Sequence, residues 1–184
     1  MANVKEAVEF VLRQEDAMLS GIATKAPGDR GGLTRFGLTA KWHPELVANG
    51  FFQMNREDAL AIAQDTYARE YIPHLDLGKI NRTAVAVAIL SFAVVEGAGA
   101  AVVLIQNTLS ELGFPLIADG SAGPKTIAAL NAADPFMFVA AYVNRQRNHF
   151  ASIVGNDLSQ QKWLNGWNNR ATAVLQYAQR TLVQ

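Results

Sequence analysis

From Ala84 to Val95 every residue except Ser91 is apolar, and Glu96 ends the run. A segment this apolar has no polar face to show to water, so it reads as a buried core helix. It is too short for a bilayer, which needs about 20 such residues. The chain is therefore constrained to put one helix inside a core and to build its other elements around it. Half of the 184 residues are hydrophobic and 17% are charged. That fits one domain, or a domain with a modest helical extension, and argues against wholesale disorder.

Sixteen basic and sixteen acidic residues cancel. A balanced chain has no global field to draw it to nucleic acid or to anionic lipid, so neither a nucleic-acid partner nor stable membrane insertion is expected. Cysteine is absent, which excludes disulfides, thiolate nucleophiles and cysteine-bound zinc. His43, His74 and His149 show no metal-ligand spacing. Asp119 to Asp134 lacks the acidic alternation of a calcium loop, and no Gly-Lys-Ser/Thr follows Gly28, Gly31 and Gly32. No metal or organic cofactor is expected. The first residues are mixed in charge, without a basic-then-apolar signal layout, so the expectation is synthesis in the cytoplasm without a signal peptide.

Val4, Val8, Val11 and Leu12 recur at helical spacing and predict an amphipathic helix over about residues 3–17. Glu15 falls four residues after Val11, toward the inner face and the helix end. A carboxyl there meets the negative pole of the helix and an apolar wall, both of which favour its protonated form. Residues 19–38 carry five glycines and Pro27, suiting a loop or small irregular hairpin pinned by Leu33, Phe36 and Leu38. Thr39 is expected to cap a short helix through Lys41 and Trp42, and Pro44 to restart it. A helix opened by Asn55 and Asp58 should stop at Pro73. The core helix follows from Asn81 or Thr83. Gly97 and Gly99 should break it before a helix over 100–112. Helices over 125–131, from Asp134-Pro135 to about Ile153, and from Ser159 onward complete a mainly α chain.

The segment from Arg13 to Thr39 carries the chemistry. A glycosidase needs one carboxyl held protonated on rigid structure and a second oxygen-bearing group across a cleft from it. Glu15 is the candidate for the first, or else a solvated residue in a polar helix end beside Arg13, Gln14 and Asp16. Asp29 is the candidate for the second, or else an Asx-turn residue organising Gly28 to Gly32. Glu96 interrupts an apolar stretch and demands a partner; it lines the cleft or caps a helix end. Trp42, Tyr71, Trp163 and Trp167 either stack on sugar rings or pack internally, Trp163 and Trp167 against each other.

Asp29-Arg30-Gly31-Gly32-Leu33-Thr34-Arg35-Phe36-Gly37-Leu38-Thr39 resembles the loop Asp-x-Gly-Gly-x-Thr-x-x-Gly-Ile-Thr of the glycosyl hydrolase 108 family of phage and bacterial N-acetylmuramidases. Phe92 to Gly97 and Val102 to Gln106 are similar to that family's core-helix motif and the Gln-bearing helix after it. Asp119-Gly120-Ser121-Ala122-Gly123-Pro124-Lys125-Thr126 with Asn131 resembles its C-terminal, predicted peptidoglycan-binding lobe, as does Trp163-Leu164-Asn165-Gly166-Trp167 with Arg170. Two features depart from the family. Its Glu-Gly-Gly is Glu15-Asp16-Ala17 here, with a longer loop before Asp29, and Glu96 stands where the family has asparagine.

The resemblance implies a lysozyme-like helical fold with a small loop or hairpin region near the active site. It implies a catalytic lobe over 1–112 and a helical peptidoglycan-binding-like lobe over 113–184. It also implies hydrolysis of the β-1,4 bond between N-acetylmuramic acid and N-acetylglucosamine. Glu15 would be the general acid, with Asp29 and Thr34 assisting and Thr34 holding a water. Tyr71, Glu96 and Trp42 are the candidate substrate-binding residues. Peptidoglycan strands are the expected partner and the cell wall or periplasm the site of action. The setting would be phage lysis with a separate pore protein for release, or a delivered toxin with an immunity protein. Two rivals remain open: a non-catalytic wall-binding or secretion-accessory protein on the same scaffold, and a helical interaction or nucleic-acid module.

Overall fold

The computed structural model describes residues 1–25 and 32–183. Among them the chain is mainly α, with one small antiparallel sheet. In order these are α1 (Val4–Glu15), β1 (Thr34–Arg35), β2 (Leu38–Thr39), α2 (Pro44–Ala48), α3 (Arg56–Leu75), α4 (Thr83–Glu96), α5 (Ala98–Glu111), α6 (Pro124–Ala132), α7 (Pro135–Asn156) and α8 (Gln161–Leu182). Two compact units are present: Val8–Glu70, and Met1–Ala7 with Tyr71–Gln184.

In the smaller unit the apolar stripe of α1 is buried through Val8, Val11 and Leu12, and Phe36, Leu38, Leu46, Phe51 and Tyr67 complete the core. Leu33, expected to help pin the hairpin, is 36% exposed, so Phe36 and Leu38 carry that task. The sheet pairs Thr34 with Thr39 and Arg35 with Leu38, which leaves Phe36 and Gly37 as a two-residue turn. Both have positive φ, 50° and 79°, the conformation that matches hairpin twist. Thr24 adds a third segment, exchanging backbone hydrogen bonds with Thr34 at 2.9 and 2.8 Å. Thr39 ends β2 and caps no helix through its hydroxyl, which is buried without a hydrogen-bond partner. Residues 40–42 form a turn, held by the amides of Trp42 and His43 donating to the Thr39 carbonyl. Asn55 and Asp58 open α3 as expected, the Asp58 amide donating to Asn55 Oδ1 at 3.0 Å. Pro73 does not stop α3, which continues to Leu75. So near the helix end, a proline removes one donor and leaves little helix to disrupt.

In the larger unit α4 is buried continuously from Ala84 to Ala93, and it packs against α5, α7 and α8. Its one polar interruption is answered: Arg170 Nε of α8 donates to the Ser91 carbonyl at 3.1 Å and to its hydroxyl at 3.2 Å. Around it Phe92 meets Tyr142 and Phe150, while Phe138 stacks on Tyr142. Burial pushes the Tyr142 phenol well above its ordinary value; its hydroxyl donates to the Ala101 carbonyl at 3.3 Å. Gly97, at φ 89°, ends α4, whereas Gly99 lies inside α5. Trp167 stacks on Phe150 with centroids 5.0 Å apart, and not on Trp163, which is 53% exposed beside Lys162. Among the described residues no single helix is long and apolar enough to cross a membrane.

Candidate active site

The first helix ends on Glu15, and the chain turns at once. Asp16 organises that turn. Its amide still donates to the Leu12 carbonyl, and its carboxylate accepts from the Gly21 amide at 2.7 Å and the Ser20 hydroxyl at 2.9 Å. Burial alone pushes this carboxyl up, but hydrogen bonds from Gly21, Ser20 and Met18 outweigh it and hold the group below its usual 3.8. Asp16 stands where the resembling family has glycine, and it replaces backbone freedom with a side-chain clasp. Leu19 is then forced to φ 48°, buried, with its carbonyl accepting from Arg56 Nε at 2.7 Å.

The hairpin brings its turn to Glu15. A Cβ built on Gly37 would lie 2.7 Å from Glu15 Cγ, 3.0 Å from its carboxyl carbon and 2.5 Å from the Tyr67 hydroxyl oxygen. Only a glycine, already at φ 79°, permits this approach. Glu15, Gly37 and Tyr67 therefore form one contact. The helix-end carboxyl rests on the turn, beside a buried phenol whose hydroxyl donates to the Phe36 carbonyl at 3.1 Å. Glu15 does not face the interior as expected: it is exposed at the helix end, because the buried stripe closes with Leu12.

Arg35 fixes the other side of the hairpin. It is 5% exposed, and among the described residues it is held by backbone carbonyls. Its Nε donates to the Gly21 carbonyl at 2.6 Å, Nη1 to those of Phe51 and Met54 at 2.5 and 2.9 Å, and Nη2 to that of Asn55 at 3.4 Å. The guanidinium gathers two loops onto one strand, and burial draws its ionisation down from the ordinary arginine value. Packing supplements these bonds: the Phe36 and Phe51 rings lie under the same group at 5.8 and 5.7 Å, and the Phe36 ring edge sits where a side chain on Gly21 (φ 64°) would begin.

The remaining candidates distribute as follows. Thr34 is half-buried in β1, on the opposite strand face from buried Arg35 and on the same face as its partner Thr39. Asp29 lies outside the described residues. Trp42 is 71% exposed, with Lys41 Nζ 4.8 Å from its ring centroid. Glu15, Thr34 and Trp42 belong to the smaller unit, Tyr71 and Glu96 to the larger. Tyr71 is half-buried on α3. Glu96 has the partner its position demands: its Oε2 lies 2.9 Å from His149 Nε2 on α7.

Sequence reasoning missed Tyr67, hidden among the apolar positions of α3, and His149, whose partner is 53 residues away. It also missed what the Asp-Gly-x-x-Gly-Pro-x-Thr motif does. Buried Gln106 donates to Asp119 Oδ1 at 2.7 Å and to the Ser121 carbonyl at 3.0 Å, and accepts from the Gly120 amide at 3.0 Å. The motif is a turn wrapped around one amide side chain. A cleft of about 680 Å³ lies beside Ile80 to Arg82 and Leu130 to Pro135 and is lined by none of the candidate residues.

The mainly α chain with its small two-stranded sheet has a lysozyme-like fold. The solved structure of Brucella abortus SagA shares the fold, with a TM-score of 0.72 over 98% of this chain and 96% of that one at 21% identity. The protein belongs to the Glycosyl hydrolase 108 family, matched over residues 8–97, and a Predicted Peptidoglycan domain is matched over residues 100–172. No curated protein matches the sequence. The chain is thus a glycoside hydrolase acting on peptidoglycan.

Proposed function

We propose that the protein is an N-acetylmuramidase, cleaving the β-1,4 bond between N-acetylmuramic acid and N-acetylglucosamine with Glu15 as general acid. The observation that carries this reading is the contact of Glu15 with Gly37 and Tyr67. Protonation of the glycosidic oxygen needs a carboxyl held in one place and open to substrate. Glu15 meets both conditions, being exposed at the end of a rigid helix and braced by the turn. Thr34 would hold the attacking water and Asp29 would be the second carboxylate. Trp42, Tyr71 and Glu96 would contact the sugars.

Residues 1–112 would perform the cleavage and 113–184 would help hold the wall. A groove of about 450 Å³ lined by Asn144, Asn148 and Ser152, and by Arg145 paired with Glu111, offers amides and a hydroxyl to glycan or peptide stem. The biological setting would be phage lysis, with a separate pore protein for release, or a delivered antibacterial toxin with an immunity protein.

Purified sacculi are digested, reduced with borohydride and analysed by mass spectrometry. Reduced muramic acid at the new ends supports the bond assignment, and reduced glucosamine overturns it. Glu15→Gln should lower the rate at least about a hundredfold, the low end for a general acid. Equal rates would remove Glu15 from the mechanism. The exposure of Glu15 and the Asp16-Ala17 departure favour one second reading, a wall-binding protein without activity. Retained sacculus binding with no clearing by the wild type would select it.

A further inference from the structure

We propose that His43, Glu45 and Glu70 form a binding site for a divalent transition-metal ion of the zinc class, independent of the catalytic reading. His43 precedes α2, Glu45 lies in its first turn, and Glu70 comes from α3. His43 Nδ1 stands 3.3 Å from Glu45 Oε1 and 3.4 Å from Glu70 Oε1, and one ligand atom from each residue falls within 4.8 Å of the others.

These distances fit a shared ion better than they fit a hydrogen-bonded imidazolium. A charge-assisted N–H···O bond contracts to about 2.7–2.9 Å, and the single hydrogen on Nδ1 cannot point at two carboxylates at once. Zinc–nitrogen and zinc–oxygen bonds of about 2.0–2.1 Å arranged tetrahedrally put neighbouring ligand atoms about 3.3–3.4 Å apart. That is the spacing on both sides of His43. The imidazole would bind through its Nδ1 lone pair, with its proton on Nε2. Two carboxylates and one neutral imidazole carry two negative charges, which a divalent cation cancels. Imidazole with carboxylate suits zinc, nickel or iron better than calcium or magnesium.

The ligands also differ usefully in mobility. The His43 side chain is 14% exposed, so its ring is held, while those of Glu45 and Glu70 are 54% and 34% exposed and free to close on an ion. Three protein ligands leave a fourth tetrahedral position to water. Because the His43 amide donates to the Thr39 carbonyl at 3.1 Å, an ion here would fasten the end of β2 to α3.

The test uses untagged, full-length protein stripped with chelator and titrated with zinc chloride by calorimetry. One site per chain is expected, of about micromolar affinity. Zinc at a hundred times its dissociation constant should raise the melting temperature by about 5–10 °C. Glu70→Gln should weaken binding at least about thirtyfold and cut the melting shift to about a third or less, while Glu57→Gln, outside the cluster, should change neither. His43→Gln should abolish binding, with circular dichroism confirming its fold. Cobalt substitution should give the strong visible absorption of a tetrahedral site. Equal zinc affinity in wild type and Glu70→Gln, or no saturable binding by the wild type, would overturn the proposal. Activity does not enter, so failure here is distinct from failure of the muramidase reading.

Discussion

Tyr67 donates its hydroxyl hydrogen to the Phe36 carbonyl at 3.1 Å, and this bond ties the middle of α3 to the turn on which Glu15 rests. The same hydroxyl oxygen would lie 2.5 Å from a Cβ on Gly37. Gly37→Ala should therefore move the phenol, the glutamate or the turn, and adds a side chain at φ 79°. We expect about 1–3 kcal/mol lost from unfolding stability. Sacculus clearing should slow by about tenfold or more as the carboxyl is misplaced. Tyr67→Phe, which removes only the hydrogen bond, should cost about 1 kcal/mol. Urea titration and clearing rates on both variants check the order; a faster Gly37→Ala enzyme would contradict it.

Arg35→Met keeps much of the apolar stem but withdraws every donor from the carbonyls of Gly21, Phe51, Met54 and Asn55. Buried acceptors left without partners cost about 1–3 kcal/mol each before water reaches them. A net loss of about 3–5 kcal/mol is expected in urea unfolding, comparable to breaking a buried ionic network. Lysine at this position cannot reproduce the planar fork and should rescue little.

Asp16 gives the loop a defined acid sensitivity. Its folded ionisation lies below 3.8, so the stabilisation is fully present above that value and is lost as pH falls through the lower folded one. Hydrogen exchange of the Gly21 amide should accelerate, relative to its intrinsic rate, once the pH drops below about 3.8. Asp16→Asn should show weaker protection at neutral pH and little further change on acidification. An identical pH profile in the two proteins would refute the clasp.

Gln106→Leu keeps side-chain volume but strips the turn around residues 119–121 of its central partner. Loss of about 2–4 kcal/mol is expected, with several polar groups unpaired at once. Hydrogen exchange should localise the damage to that turn and to the first turn of α6. Sacculus binding should fall more than cleavage of soluble glycan fragments, if 113–184 holds the wall.

How far the sequence disclosed this molecule depended on the range of the interaction. The core helix was plain from Ala84 to Val95, and Asn55 and Asp134 announced helix starts because caps are local chemistry: Asp134 Oδ1 accepts from the Met137 amide at 2.8 Å. Pro73 misled because the rule against proline is weak within a turn of a helix end. Glu15 was singled out by its place before a motif, yet its exposure was not foreseen, since one residue of helical phase decides inner or outer face. Tyr67 and Arg35 were silent for another reason. Their roles rest on carbonyl oxygens of Phe36, Gly21, Phe51, Met54 and Asn55, and every residue type carries a carbonyl. Glu96 signalled that it needed a partner, but nothing in the string could point to His149.

The backbone clasp between Thr24 and Thr34 also has a use in engineering. It closes the chain on either side of residues 26–31, so the span between can change length with only a slow, logarithmic entropic cost. Because Asp29, the proposed second carboxylate, belongs to that span, an insertion there should leave the hairpin's register intact while slowing cleavage, which would part folding from catalysis in a single variant.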